Sequence, residues 1–129
     1  MLDMADEYLQ TRVLTASPHR LHLMVIDEAC KATRVLVAAF EAEDVTGVHT
    51  AASRARDCVN ELVAGLRSDQ SPELVAQVQE WFLHIQKHLH LADLTQSPAA
   101  ASQALRLLNE YRDTWAALQT DSAALGDDN

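Results

Sequence analysis

Six histidines carry most of the potential for chemistry in this chain of 129 residues: His19, His22, His49, His84, His88 and His90. Glu80, His84 and His88 stand at i, i+4 and i+8, which places them on one face if the segment is helical. Two such histidines can hold zinc, but a structural or catalytic site takes three or four protein ligands. Neither a His-Glu-x-x-His run nor the paired Glu-x-x-His of di-iron bundles occurs. An exposed histidine stripe without metal is the expectation. Nucleophilic catalysis has less support. There is no Gly-x-Ser-x-Gly turn, and Cys30 and Cys58 stand among apolar helical neighbours, where a thiol is inert packing. Gly47, Gly65 and Gly126 are the only glycines, too scattered for a loop that cradles phosphate. The carboxylates are spread along the chain and serve solubility. The expectation is no enzyme, no metal and no cofactor.

The elements that must hold these side chains follow from the punctuation. With 3 Gly and 3 Pro, turn material is scarce, which argues against an all-β fold. Each proline follows a serine: Ser17-Pro18, Ser71-Pro72 and Ser97-Pro98. A serine hydroxyl accepts from an amide of the first helical turn. The proline after it has a suitable φ and lacks only an N–H that would be unpaired there. Each pair therefore marks a helix start. Gly47, in Glu43-Asp44-Val45-Thr46-Gly47, reads as part of a polar break that ends the first helix. The prediction is four helices at about 18–43, 48–67, 72–92 and 98–120, joined by short connections. The fold class is all-α, an antiparallel up-and-down four-helix bundle with a short N-terminal segment.

Periodicity supports this division. Ala52, Ala55, Val59, Leu62 and Leu66 alternate spacings of three and four, as do Val75, Val78, Phe82, Ile85, Leu89 and Ala92. Ala101, Ala104, Leu108, Tyr111, Trp115 and Leu118 repeat the pattern, with Trp115 expected in the core. Each set lies on one stripe of a helix. The first helix differs. One stripe runs through Val25, Ala29, Ala32, Leu36 and Ala39, and an adjacent one through Leu23, Ile26, Cys30, Val37 and Phe40. More than half its circumference is apolar, so it is either central to the bundle or covered by a partner or by the residues before Ser17. Tyr8, Leu9 and Val13 form an apolar run too short for an isolated helix. That run is either a frayed terminus or a segment folded back over an apolar groove.

Composition narrows the class. A hydrophobic content of 48% suffices for a core and is too high for a disordered chain. No stretch approaches the ~18 apolar residues of a membrane span, so no membrane insertion is expected. The acidic opening Met1-Leu2-Asp3-Met4-Ala5-Asp6-Glu7 is unlike a secretory signal. A formal charge of −9 disfavours nucleic acid and anionic lipid. Cys30 and Cys58 are accordingly expected as reduced thiols in a cytoplasmic protein. One domain over residues 1–120, followed by an acidic disordered tail over 121–129, is the expected organisation.

The segment Tyr8-Leu9-Gln10-Thr11-Arg12-Val13-Leu14-Thr15-Ala16-Ser17-Pro18 resembles the opening of the flagellar secretion chaperones, the FliS family. That family begins with a tyrosine, then a valine, then Thr-Ala-Ser-Pro. A leucine-rich helix with a Met-Leu-Tyr-Asp-Gly-like sequence follows, and Met24-Val25-Ile26-Asp27-Glu28 stands in its place here. Ala55, Val59, Glu61, Leu62 and Leu66 are similar to the family's second helix, and Tyr111-Arg112-Asp113-Thr114-Trp115 to its closing Arg-x-x-Trp. The resemblance spans roughly residues 6–118. Departures are Ile26 for the usual tyrosine, Glu28 for glycine, and Asp93 after Ala92 where Ala-Asn is common.

The resemblance implies a cytoplasmic helical bundle that holds the disordered C-terminal segment of flagellin, prevents its premature polymerisation and delivers it to the FlhA-type gate of flagellar type III export. In that family the N-terminal segment can lie over part of the binding surface and be displaced by flagellin. The flagellin contacts expected on this basis are Tyr8, Leu9, Val13, Leu21, Met24, Ile26, Val59 and Leu62. Tyr8 is the foremost of these, since a lone aromatic near a terminus has no evident core role. The alternative is a regulatory or structural module that self-associates, as a homodimer, through the first helix without binding flagellin. A metal-dependent enzyme using His84 and His88 is a third and weaker reading.

Overall fold

A computed structural model describes residues 18–66 and 72–124 of the chain, with side chains described for 19–66 and 72–117. It contains four helices: α1 (Pro18–Glu41), α2 (Val45–Ala64), α3 (Pro72–Leu94) and α4 (Pro98–Ala124). Each packs against its neighbours in chain order, and α4 closes the ring on α1. Contacts between neighbours run antiparallel. His19 and His22 of α1 meet Trp115 and Tyr111 of α4, while His49 and Asn60 of α2 meet Asp93 and Gln86 of α3. This is the all-α, up-and-down four-helix bundle that the periodicity predicts.

The three prolines each begin a helix. Ser97 Oγ accepts from the Ala100 N–H at 3.1 Å, as a capping serine should; Ser17 and Ser71 lie outside the described residues. The α1–α2 and α3–α4 turns share one construction. Glu43 N–H donates to the Phe40 carbonyl at 3.1 Å and Asp44 N–H to the Ala39 carbonyl at 2.9 Å, with Glu43 at φ 54°. At the end of α3, Ser97 N–H donates to the Ala92 carbonyl at 3.0 Å, with Gln96 at φ 52°. Both are Schellman closures in which a non-glycine takes the left-handed position. The next residue, Asp44 or Ser97, then caps the following helix.

That construction moves several boundaries. Asp44 Oδ1 accepts from Gly47 N–H at 3.0 Å, so α2 starts at Val45 and not near 48. Gly47 lies in the first turn of α2 and not in a break. A Cβ at Gly47 would collide with the Asp44 carboxylate, so the glycine makes room for the cap. α1 ends at Glu41 and α2 at Ala64, short of 43 and 67, whereas α3 and α4 continue to Leu94 and Ala124. The alanines near the end of α4 favour that extension. Of the segment 121–129, residues 121–124 belong to α4, and residues 125–129 lie outside the described residues.

The core contains every member of the predicted α3 stripe from Phe82 to Ala92, together with Ala101, Ala104, Leu108 and Tyr111 of α4. α2 buries a wider surface than its single stripe suggests, adding Val48, Ala51 and Cys58 to Ala52, Ala55, Val59 and Leu62. Alanines face inward on α1, α2 and α4, which lets the helices approach closely. α1 is a corner of the ring like the others and not a central helix. Its two stripes serve two neighbours: Ile26, Ala29, Cys30, Leu36 and Ala39 are buried, and Leu23, Val25, Val37 and Phe40 pack at the margin. Thr33 is fully buried between them, its hydroxyl donating to the Ala29 carbonyl at 2.8 Å. That bond satisfies a polar group that would otherwise be costly inside.

Candidate functional site

The start of α1, the middle of α3 and the end of α4 bring an aromatic cluster together. Tyr111 stands at its centre, edge-on to Phe82 at 4.7 Å and to Trp81 at 5.3 Å between ring centroids. The His22 ring lies 4.4 Å from Trp115 and shares a 2.8 Å hydrogen bond from Nε2 with the Tyr111 hydroxyl. Trp115 Nε1–H donates to the His19 carbonyl at 3.1 Å, and Trp81 Nε1–H to the Leu107 carbonyl at 3.2 Å. More than a turn further along α1, Arg112 Nε–H donates to Asp27 Oδ1 at 2.5 Å. Burial, and secondarily the nearby His19, push the His22 pKa down to about 4, so the ring is neutral at pH 7. Burial also raises the Tyr111 pKa.

These contacts tie the first turns of α1 to the end of α4 and hold the outward face of α1 in place. Asp27, Arg112 and Trp115 are residues of the motifs quoted above, and here they join the two helices. His22 was not singled out by its sequence position, yet it extends the stripe Val25, Ala29, Ala32, Leu36 back by one turn. A polar residue in register with an apolar stripe is the signal that identifies it.

The eight expected contact residues fall into three groups. Tyr8, Leu9 and Val13 lie outside the described residues. Leu21 and Met24 are half-buried on α1. Ile26, Val59 and Leu62 are buried at 0–1% exposure within the core. The structure therefore leaves Leu21 and Met24 accessible and places the other three beneath the surface, because their stripe positions face the α1–α2 interior.

The remaining candidates for chemistry do not converge. Among the described residues no three His, Cys, Asp or Glu side chains come together as a metal site. His84 is exposed and His88 half-buried; burial, Lys87, His84 and Arg106 all lower the His88 pKa. Both thiols are free and buried, and burial pushes each pKa up to about 11, so neither is a thiolate at neutral pH. Asp93 joins α3 to α2, pairing with His49 Nδ1 and, at 3.4 Å, with Arg56 Nη1. The departure at Asp93 is thus matched by two basic partners on α2. Sequence spacing alone does not relate positions 49, 56 and 93.

No helix of the described residues is long and apolar enough to cross a membrane. No curated protein matches the chain. The family model described as flagellar protein FliS matches residues 1–122, which takes in all four helices but the last residues of α4. The bundle, the Asp27–Arg112 pair between its motif residues and that match agree: the chain belongs to the FliS family, whose general role is that of a flagellar export chaperone.

Proposed function

We propose that this protein binds the disordered C-terminal segment of flagellin in the cytoplasm, masks it against premature polymerisation and hands it to the FlhA-type gate of flagellar type III export. The observation that carries the reading is the family match over residues 1–122. A supporting feature is the α1 surface, where Leu21 and Met24 remain accessible beside a well-anchored framework. We assign the contact to Leu21 and Met24, with Tyr8, Leu9 and Val13 of the preceding segment. Ile26, Val59 and Leu62 support that surface from below. The task needs apolar complementarity and reversibility, and no bond is made or broken. Coupled folding of such a segment buries on the order of 1,000–3,000 Å², opposed by about 2–5 kcal/mol of ordering, which leaves a complex that can be released.

Seeded polymerisation of full-length flagellin tests the masking role. An equimolar amount of this chain should arrest elongation, and flagellin truncated at its C-terminus should no longer co-elute with it. Unchanged elongation at saturating chaperone contradicts the proposal.

A further inference from the structure

We infer that the bundle opens along its α2–α3 seam, the hairpins α1–α2 and α3–α4 parting while every helix and the α1–α4 contacts stay formed. The inference is independent of flagellin binding and rests on how the four seams are held. Tight backbone turns join α1 to α2 and α3 to α4. His22, Tyr111 and Trp115 interlock α1 with α4, with Arg112 on Asp27 beside them. α2 and α3 have neither device. Among the described residues they also pack more sparsely than any other neighbouring pair.

Polar contacts line this seam instead. His49, Arg56 and Asn60 follow one line of α2, and Gln86 and Asp93 follow one line of α3. Asp93 meets His49 Nδ1 and Arg56 Nη1. Gln86 Nε2–H donates to Asn60 Oδ1 at 2.8 Å and to the Arg56 carbonyl at 3.1 Å. Polar contacts at such half-exposed positions exchange readily for water, so losing them on opening costs little net. Gln86 Oε1 is buried and accepts no hydrogen bond among the described residues, a cost of the closed form that water relieves on opening. Behind the polar line stand Ala52 of α2 and Phe82 and Leu89 of α3, all fully buried. The opening is widest at the His49 end, because the chain runs directly from α2 into α3 at the other. Such a sub-global opening exposes an apolar stripe without melting a helix.

The two native thiols, both buried, report on other seams: Cys30 lies near Arg112 and Asp113 of α4, and Cys58 near Glu28 of α1. Ala52→Cys adds a reporter on the α2 side of the opening seam and Leu89→Cys one on the α3 side, the first adding bulk and the second removing it. Thiol alkylation of the full chain under native conditions is read by mass spectrometry and divided by each thiol's rate in urea. Either new thiol should label at least about tenfold faster than Cys30 and Cys58 in the same molecule, with a shallower dependence on added urea. In the Ala52→Cys background, Tyr111→Phe removes the His22 bond between α1 and α4. It should speed Cys30 and Cys58 about fivefold and leave the thiol at position 52 unchanged, since the contacts it weakens persist in the open form. Asp93→Ala should speed all three alike, since opening and unfolding both break its pairs. Equal normalised rates for new and native thiols overturn the inference, because they mean global unfolding alone. So does Tyr111→Phe speeding all three by one factor, or Asp93→Ala speeding only the native pair. A fast thiol at position 52 with a slow one at 89 overturns it as well, since the added bulk would then have wedged the seam.

Discussion

The imidazole of His22 titrates near 6.5 in an unfolded chain and near 4 in the fold, chiefly through burial. Between those values the unfolded state binds more protons, so stability falls as pH drops through that window and is whole above it. From pH 7 to pH 5 the wild type should lose about 1 kcal/mol more than His22→Leu, after solvent screening of this half-buried ring. Urea unfolding at both pH values measures the difference, and parallel losses would refute the account. Two further substitutions rank the contacts at this end of the bundle. Phe82→Ala empties a fully buried site and should destabilise by about 3–5 kcal/mol, whereas Asp27→Ala removes a solvent-facing pair worth ~0.5 kcal/mol. At this scale the apolar stripes predicted Phe82, Leu108 and Tyr111 in the core. They did not predict the His22–Tyr111 bond, because a contact across 89 residues leaves no trace in local spacing.

Both described turns place a non-glycine in the left-handed region, Glu43 at φ 54° and Gln96 at φ 52°. L-residues pay roughly 1–2 kcal/mol there, so Glu43→Gly and Gln96→Gly should each stabilise by ~1 kcal/mol. Asp44→Ala and Ser97→Ala should destabilise by about as much through loss of a cap. Thermal unfolding of the four single variants checks the signs; a loss of stability in either glycine variant contradicts the turn geometry. The Ser-Pro pairs revealed helix starts because capping chemistry is local. The α1–α2 turn was misplaced for the same reason: glycine suggested a break, and only the folded Asp44 cap shows why a glycine is needed three residues later. Where no glycine marked the left-handed residue, the ends of α1 and α3 had no sequence signal.

At the scale of the whole molecule, two consecutive stripes on α1 suggested either a central helix or a covered one, and the ring of four corners resolves the first alternative. Width of apolar surface does not separate two neighbours from one neighbour and a partner, since both call for the same residues. The same ambiguity applies to the expected flagellin contacts, three of which, Ile26, Val59 and Leu62, are buried. Ile26 belongs to the core, so Ile26→Asp should unfold the bundle and reports nothing on binding, whereas Met24→Glu keeps the fold and reports on the surface. Calorimetric titration of the full chain with the last ~40 residues of its flagellin, a length set by the area such coupled folding buries, tests the central claim most directly. Saturable one-to-one binding with a negative heat-capacity change, weakened about tenfold by Met24→Glu at unchanged thermal midpoint, is the predicted result. Absence of heat and of co-elution at high concentration would contradict the claim that this bundle masks flagellin.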